Sequence, residues 1–340
     1  MRAFLNAIDY HFPDQRRDNK ELVALNANWD EAAILRKTGI RSRPIAGPTE
    51  TASDLAFQAA TKLLDRTGFP RGRIDVLLFC TESPDYPLPP SACLLQSRLN
   101  LPRTCGAFDY NLGCSGFTYG LWLARALILS GSAQSILLLC ADTYTKYCNP
   151  HDIVTATIFA DAAGAALITA SPDLALAEIG SSIVGTDGRG AENIIVRAGG
   201  ARHPRSSRSE MPPAKLDENA RDSAHLFMNG PEIYGFTLAT LKPEIERLLA
   251  QVEIAWGNVD RFFVHQANRY MLESLRSLMG LTAEQMPVDM ECVGNTVSAS
   301  LPILLARSDE RGDIPAGAKC VLAGFGVGYS WAMTYLKWRS

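Results

Sequence analysis

The hydrophobic pattern of the chain alternates between helical and strand-like stretches. Apolar residues recur at helical spacing over residues 51–64, and residues 115–130 are apolar on nearly every side, which predicts two helices, the second of them buried. Continuous apolar runs over residues 74–80 and 135–141 predict short buried strands, the second of them in the middle of a sheet covered on both faces. Alternation of this kind predicts an α/β protein layered around a central sheet.

The pattern of residues 74–80 returns 185 positions later, over residues 259–265, as an aliphatic residue, an aspartate and a buried strand. The same offset places residues 135–141 on residues 320–326. Repeated agreement at one offset favours an internal duplication, and chance similarity between buried strands is the alternative.

A duplicated chain has two halves, which we place at residues 1–172 and 173–340. If a pseudo-twofold axis relates the halves, equivalent strand-to-helix junctions meet near that axis. This geometry brings Cys114 of the first half close to His265 and Asn295 of the second. We therefore predict that these three side chains share one site.

Two stretches interrupt the pattern. Residues 142–157 break the register between the halves, and we expect them to form a loop over the site. Residues 199–222 are rich in Arg, Ser and Pro, which predicts a mobile surface segment or a lid.

Composition excludes several classes of function. The 340 residues are 47% hydrophobic and 20% charged, which is typical of a globular protein with a sizeable core. A net charge of −3 without a long basic run argues against a nucleic-acid partner, and no apolar stretch is long enough to span a membrane. Residues 1–9 lack the long apolar core and cleavage site of a secretory signal, and they predict a first strand.

Cysteine and histidine usage indicates the redox environment. Eight cysteines are scattered along the chain, and several lie inside apolar runs, where a small buried side chain fits better than a disulfide does. The five histidines do not cluster, and no cysteine pair has the spacing of a zinc knuckle. We therefore expect a cytoplasmic protein without a metal site.

Cys114 lies in a tight turn between a strand and the buried helix at residues 115–130. The partial positive charge at the start of a helix favours thiolate over thiol, so this turn predicts a nucleophile. The alternative is a small packed side chain, since a cysteine among small residues is often only that.

His265 and Asn295 occupy comparable junctions. His265 follows a buried strand, and Asn268 is placed to cap the next helix, at residues 270–279. The alternatives are a hydrogen-bonded core histidine and, for Asn295, a second helix cap. The glycine-rich turn at residues 324–330 lies between two strands and offers bare backbone donors to a reacting carbonyl.

Four elements together resemble the β-ketoacyl-acyl-carrier-protein synthase III family of the thiolase superfamily. In chain order they are Cys114, the His-Gln-Ala-Asn run at residues 265–268, Gly-Asn-Thr at residues 294–296 and Gly-Phe-Gly-Val-Gly at residues 324–328. The resemblance extends over essentially the whole chain. It implies an α/β thiolase fold, in which two pseudo-duplicated βαβαβαββ halves pack as a five-layer αβαβα sandwich.

The resemblance also implies a Claisen condensation in two stages. Cys114 takes an acyl group from an acyl thioester, and the backbone N–H groups of Cys114 and Val327 form the oxyanion hole. A malonyl thioester then loses carbon dioxide while His265 and Asn295 hold the enolate. The implied partners are an acyl carrier protein and a second copy of the chain in a homodimer. No tightly bound cofactor is implied, because the substrate itself brings coenzyme A or the phosphopantetheine of the carrier.

Further site residues follow from the resemblance alone. The implied gate and acyl pocket comprise Phe325, Leu88, Tyr144, Ile158, Phe159 and Tyr234, with Leu88 entering from the partner subunit. The implied entrance for coenzyme A or carrier protein comprises Lys37, Ile153, Asn268 and Arg269.

Four positions depart from the family pattern. Ala33 and Ile153 stand where well-studied members hold the adenine of coenzyme A between a tryptophan and an arginine, although Trp29 is an alternative for the first of these positions. Tyr270 replaces an arginine of the carrier-docking surface, with Arg269 beside it, and Leu88 replaces a bulky aromatic residue. Weaker binding of the nucleotide would favour a carrier protein as acyl donor. We therefore expect a specialised homologue, in a secondary-metabolite, polyketide or polysaccharide pathway.

Two other functions remain open at this point. One is an acyltransferase or non-decarboxylating synthase that uses Cys114 and His265 on an alcohol, an amine or a second thioester. The other is a non-catalytic subunit of a heteromeric condensing enzyme, which the presence of all three reactive side chains disfavours. Release of carbon dioxide from a malonyl thioester separates a condensing enzyme from the acyltransferase. Acylation of Cys114, detected by mass spectrometry, separates both enzymes from the non-catalytic subunit.

Overall fold

A computed structural model describes residues 1–204 and 224–339. Most of the stretch at residues 199–222, for which we expect a lid or mobile segment, therefore lies outside the described residues. Within the described part, no helix is both long and apolar enough to cross a bilayer. All eight cysteines carry free thiols.

The strands of the described residues are β1 (Ala3–His11), β2 (Arg16–Asp18), β3 (Ser42–Pro44), β4 (Val76–Cys80), β5 (Gly106–Tyr110), β6 (Ser135–Asp142), β7 (Ala162–Thr169), β8 (Ala177–Thr186), β9 (Ile194–Ile195), β10 (Phe227–Met228), β11 (Arg261–Val264), β12 (Lys319–Gly326) and β13 (Ser330–Trp338). The helices are α1 (Asn19–Leu25), α2 (Glu31–Thr38), α3 (Ala52–Thr67), α4 (Ser91–Arg98), α5 (Gly116–Leu129), α6 (Ile153–Ala156), α7 (Gly230–Gln251), α8 (Arg269–Met279) and α9 (Ser300–Glu310).

One mixed sheet contains strands from both halves of the chain. In the described residues it holds nine strands in the order β11-β12-β13-β8-β1-β7-β6-β4-β5. Strand β4 runs parallel to β5 and β6, and β11 runs parallel to β12. A short antiparallel pairing of β1 with β8, from Ala3 opposite Ile179 to Leu5 opposite Ala177, joins the strands of the first half to those of the second.

Helices α5 and α9 form the central layer, because each contacts strands from both halves of the sheet. Strands next to this layer bury both faces. In β6, Leu138 faces the central helices while Leu137 faces α3, and in β12, Leu322 faces the central helices while Val321 packs toward α7 and α8. Helix α3 on one side and helices α7 and α8 on the other form the outer layers. The predicted five-layer αβαβα sandwich is confirmed.

The second half differs from the first at one edge. The described residues contain no assigned strand between α8 and α9, where the first half has β5. The irregular segment there still follows β11, since the N–H of Phe262 donates to the carbonyl of Gln285 at 2.7 Å. This segment continues to the turn that carries Asn295.

The predicted element boundaries agree with the structure to within a few residues. Strand β4 begins at Val76, later than predicted, because Asp75 turns outward and accepts the backbone N–H groups of Gln134 and Ser135 at 2.8 and 3.0 Å. The predicted cap of α8 is confirmed, since the side chain of Asn268 accepts the N–H of Met271 at 2.9 Å. The expected loop at residues 142–157 contains a 3-10 turn and the short helix α6.

Candidate active site

Cys114 lies in the turn between β5 and α5, immediately before the N-cap residue Ser115. The turn packs against the end of β12 and the start of β13. The hydroxyl groups of Ser115 and Ser330 lie 2.7 Å apart, and a Cβ added at Gly326 would lie 3.0 Å from the sulfur of Cys114. The two halves of the chain therefore meet at the thiol.

The backbone N–H groups of Cys114 and Val327 lie near the sulfur of Cys114, and both lower the pKa of its thiol. Val327 follows β12 directly, in the glycine-rich turn of residues 324–330, and β13 begins at Ser330. The turn thus brings a donor from the second half of the chain to the reactive group of the first. These are the two donors predicted for the oxyanion hole.

The predicted thiolate is wrong for the free protein. Burial raises the pKa of the Cys114 thiol well above its usual value, and the nearby carboxyl groups of Glu82 and Asp142 raise it further. The two backbone donors lower the pKa by less than burial raises it, because removing an ion from water costs more than two hydrogen bonds return. Burial therefore favours the neutral thiol of Cys114 over the thiolate in the free protein.

His265 follows β11 and lies 2% exposed. Its backbone N–H donates to the carbonyl of Ala323 at 2.9 Å, which ties it to β12, and its Nδ1 lies 2.6 Å from the hydroxyl of Ser300. Burial lowers the pKa of His265 to about 3, so the imidazole is neutral at pH 7. The ring of Phe325 contacts it edge-on, with the ring centroids 5.6 Å apart.

Asn295 has a fixed amide. Its side-chain oxygen accepts the backbone N–H of Val297 at 3.0 Å, so the amide NH₂ is the group left to face the pocket. The backbone of Asn295 is held as well, because its N–H donates to the carbonyl of Ile158 and its carbonyl accepts the N–H of Ala160. The side chain is therefore oriented as a hydrogen-bond donor.

One pocket of about 430 Å³ contains all three predicted reactive residues. Its lining includes Cys114, His265 and Asn295, and also the predicted residues Ile158, Phe159, Tyr234, Asn268 and Phe325. The mouth is aromatic, since the rings of Tyr234 and Tyr270 stack with centroids 5.5 Å apart.

Other predicted site residues lie outside this pocket. Tyr144 is buried behind Phe159, with ring centroids 5.0 Å apart, and it faces a second cavity instead. Leu88 is 80% exposed, as a residue that reaches a partner subunit would be, and its role remains a prediction. Ile153 begins α6 and is 43% exposed, away from the lining.

The predicted basic entrance residues come from two helices. Lys37 is exposed in the last turn of α2, and Arg269 is the first residue of α8. A Cβ added at Gly39, which ends α2, would lie 2.7 Å from the Cβ of Arg269, so the two helix ends are in contact. Because Asn268 and Tyr270 line the pocket on either side of Arg269 in sequence, this basic corner borders the mouth.

Sequence reasoning missed two groups beside the thiol. Ser300 contacts His265, and the carboxyl of Glu82 accepts a hydrogen bond from the hydroxyl of Tyr144 at 2.6 Å. Neither has a local sequence signal, because a serine at a helix start and a glutamate after a strand are usually cap and surface residues. A clue to Glu82 exists at Gly113, where a Cβ would lie 2.5 Å from the glutamate oxygen Oε2. Within the described residues, no group of His, Cys, Asp and Glu side chains could hold a metal ion.

A mixed sheet wrapped around two central helices, with Cys, His and Asn from both halves in one pocket, defines a thiolase-fold condensing enzyme. The family model described as 3-oxoacyl-[acyl-carrier-protein] synthase III matches residues 108–188, and the model for the C-terminal part of that family matches residues 249–338. The chain belongs to the 3-oxoacyl-[acyl-carrier-protein] synthase III family, whose members are acyl-transferring condensing enzymes. The predicted family and fold are confirmed.

Relatives resemble the chain over its full length. The β-ketoacyl-[acyl-carrier-protein] synthase III of Roseiflexus castenholzii is 32% identical, covering 96% of each chain. A solved 3-oxoacyl-(acyl-carrier-protein) synthase III is 44% identical, with a TM-score of 0.94 over 99% of this chain and 100% of that one. The priming β-ketosynthase of the R1128 polyketide pathway is 26% identical, with a TM-score of 0.85 over 99% of this chain and 96% of that one.

Proposed function

We propose that the chain condenses an acyl group with a malonyl thioester to give a β-ketoacyl thioester. The observation that carries this proposal is the common pocket of Cys114, His265 and Asn295, in which two backbone N–H groups reach the sulfur. A nucleophile, an oxyanion hole and two enolate-stabilising donors are the parts that such a condensation requires.

In the first stage the sulfur of Cys114 attacks the carbonyl carbon of an acyl thioester. The N–H groups of Cys114 and Val327, which lie near the sulfur in the free protein, then hold the oxygen of the tetrahedral intermediate. The carbon–sulfur bond to the leaving thiol breaks. The proton of Cys114 ends on that thiol, so one thioester is exchanged for another.

In the second stage a malonyl thioester binds in the emptied entrance and loses its carboxylate as carbon dioxide. The electron pair of the broken bond becomes an enolate, whose oxygen accepts hydrogen bonds from Nε2 of neutral His265 and from the amide of Asn295. The enolate carbon attacks the acyl group on Cys114. The sulfur leaves as a thiolate and takes up a proton to restore the starting enzyme.

The departures at Ala33 and Ile153 support a carrier protein as the acyl donor. Neither side chain can stack on an adenine or pair with a phosphate, whereas Lys37 and Arg269 form a basic corner beside the mouth that suits an acidic carrier. Acyl-carrier protein should therefore acylate Cys114 faster than the corresponding acyl-coenzyme A. Equal rates with both donors would contradict this part of the proposal.

We also propose a homodimer, in which Leu88 of each subunit enters the acyl site of the other, and a boundary between the halves at residues 172 and 173. The exposed position of Leu88 supports the first point, and the short β1–β8 pairing that joins the strands of one half to those of the other supports the second. Eight free thiols suit a reducing cytoplasm.

The test combines two measurements on the purified protein. Mass spectrometry measures acylation of Cys114, which is the first stage. Release of carbon dioxide from a malonyl thioester measures the second stage. Condensation predicts both signals. Acylation without release of carbon dioxide would instead favour the alternative acyltransferase, with an alcohol, an amine or another thioester as acceptor.

A further inference from the structure

A second cavity lies next to the Cys114 pocket. Ile194 lines both spaces, and Val327, whose N–H reaches the sulfur of Cys114, lines the second one. A Cβ added at Gly113 would lie 2.9 Å from the side chain of Val327, so this cavity reaches the backbone just before the nucleophile. Its volume is about 770 Å³. Cys114 itself does not line this cavity, so an acyl group on the sulfur would have to pass Val327 to enter it.

Glu82 lies in the wall of this cavity, two residues beyond the end of β4. Its Oε2 accepts the hydroxyl of Tyr144 at 2.6 Å, and its backbone N–H donates to Asp142 at 2.8 Å, so the side chain is held in place. In the described part of the chain, Tyr144 is the one side chain that forms a hydrogen bond to this carboxyl, through Oε2, so Oε1 is left facing the cavity and no basic side chain pairs with it.

The glycine at position 113 allows this arrangement. A Cβ there would lie 2.5 Å from Oε2 of Glu82, so any larger residue would displace the carboxyl from the turn that carries the nucleophile. The glutamate therefore packs against the backbone neighbour of Cys114. A group bound to its oxygen would lie close to the first carbons of an acyl chain on the sulfur.

An unpaired carboxyl in this position costs free energy. Burial raises the pKa of Glu82 to about 7, and burial together with the charge of Glu82 raises the pKa of Asp142 to about 8. A ligand that donates a hydrogen bond would satisfy the open oxygen, whereas a plain alkyl chain would bury it without a partner. The cavity wall therefore discriminates by polarity as well as by size.

We propose that the acyl group carried by Cys114 bears a hydrogen-bond donor, a hydroxyl or an amino group, on one of its first carbons, and that Oε1 of Glu82 accepts its hydrogen bond. The proposal rests on the proposed function, because it names the acyl group of that reaction. An acyl group with a hydroxyl or amino group on its first carbons is a substrate that a purely hydrophobic cavity would reject. Glu82 is on this account a specificity-determining residue.

A purely structural role makes a different prediction. If Glu82 only anchors Tyr144 and Asp142, its replacement affects all acyl groups alike. If it binds a donor on the substrate, its replacement changes the ratio of rates between acyl groups with and without that donor.

The experiment compares three N-acetylcysteamine thioesters of one chain length: butanoyl, 3-hydroxybutanoyl and 3-aminobutanoyl. Acylation of Cys114 in the full-length protein is followed by intact mass spectrometry. We expect the hydroxyl- or the amino-bearing group to load at least tenfold faster than butanoyl, and the faster of the two identifies the donor.

Two variants test the role of the carboxyl. Glu82→Leu should lower the ratio of the donor-bearing rate to the butanoyl rate at least tenfold, and Glu82→Gln, which keeps one acceptor oxygen, should lower it less. Asp85→Asn is the matched comparison, because Asp85 is the other carboxyl on this cavity: its Oδ2 accepts a hydrogen bond from Ser53 at 2.7 Å, and among the described residues its Oδ1 is buried without a partner. This variant should leave the ratio unchanged. A fall in the ratio for Asp85→Asn and not for the Glu82 variants would overturn the assignment to Glu82.

Each outcome decides between the possibilities. If the butanoyl thioester acylates the wild-type protein as fast as both polar thioesters do, the proposal is overturned, even if the Glu82 variants fail to fold. Equal loss of all three rates in Glu82→Leu overturns it in favour of the structural role. Absence of acylation by all three thioesters and by an acyl-carrier protein overturns the proposed function itself, whereas unselective acylation overturns only the inference about Glu82.

Discussion

The hydroxyl oxygen of Ser300 lies 2.6 Å from Nδ1 of His265, and both side chains are buried. Because burial lowers the pKa of His265 to about 3, the imidazole carries a single proton at pH 7. A serine hydroxyl that donates to Nδ1 leaves that proton on Nε2. The proposed second stage requires this tautomer, in which Nδ1 accepts a hydrogen bond from Ser300 and Nε2 donates to the enolate.

Ser300→Ala should impair the second stage more than the first. Without the hydroxyl, the proton can move to Nδ1, and the enolate loses a donor for part of the time. We expect release of carbon dioxide to fall about tenfold, as for the loss of one hydrogen bond in a buried site. Acylation of Cys114, measured by mass spectrometry on the same preparation, should fall less than threefold by comparison. Parallel loss of both activities would contradict this positioning role.

Asn295→Ala removes the second donor outright. The hydrogen bond that the N–H of Val297 donates to the amide oxygen orients the NH₂ group of Asn295, and alanine has no donor to replace that group. We expect release of carbon dioxide from a malonyl thioester to fall about 100-fold or more, the usual effect of deleting one oxyanion donor. Acylation of Cys114 should continue. If this variant releases carbon dioxide at the normal rate, the role of Asn295 is wrong.

The sequence was sufficient for the layered fold and for the meeting of Cys114, His265 and Asn295 in one pocket, because the first depends on local patterns and the second on an internal repeat. Strands such as β6 alternate between two apolar layers, and His265 and Asn295 occur at chain junctions that a duplicated fold brings together. The protonation state of Cys114 could not be predicted from the sequence. It depends on burial and on two carboxyl groups, Glu82 and Asp142, that are distant in sequence.

The lining of the acyl site shows the same limit. The position of Tyr144 on a second cavity follows from its contacts with Phe159 and Glu82, neither of which its sequence neighbours indicate. Glu82 itself looks like an ordinary residue after a strand. Only its approach to Gly113 in the folded chain places its carboxyl beside the nucleophile.

Gly326→Ala should block the nucleophile. The added Cβ would lie 2.8 Å from the Cβ and 3.0 Å from the sulfur of Cys114, both closer than carbon and sulfur atoms normally approach. We expect acylation of Cys114 to fall at least tenfold. Gly235→Ala is the control, because a Cβ at that position of α7 meets no atom within 4 Å. Full activity of Gly326→Ala would show that the thiol does not occupy this position during the reaction.

The buried carboxyl of Glu82 should make stability depend on pH. Its pKa is about 7 in the folded protein, above the ordinary value of 4.5. Between these two pH values the folded state therefore keeps a proton on Glu82 that the unfolded state has lost. The contribution of this group to stability is fully present below about pH 4.5 and is lost as pH rises through 7. Glu82→Gln should therefore reduce the fall in Tm between pH 5 and pH 8 by roughly 2 °C or more.

A second carboxylate supplies the comparison for this pH experiment. Glu291 pairs with Arg41 at the surface, at 2.7 Å, and both side chains are largely in solvent. Glu291→Gln should leave the difference in Tm between the two pH values unchanged. If both variants behave alike, the buried carboxyl is not the source of the pH dependence.

The account depends above all on Cys114 as the covalent carrier of the acyl group. The direct measurement is the mass of the peptide that contains Cys114, taken after the protein is incubated with an acyl thioester and again after a malonyl thioester is added. We predict that the acyl mass appears on Cys114 alone, is absent from Cys114→Ala, and disappears from the enzyme as the β-ketoacyl product forms. Formation of that product while Cys114 stays unmodified, or by the Cys114→Ala variant, would contradict the account.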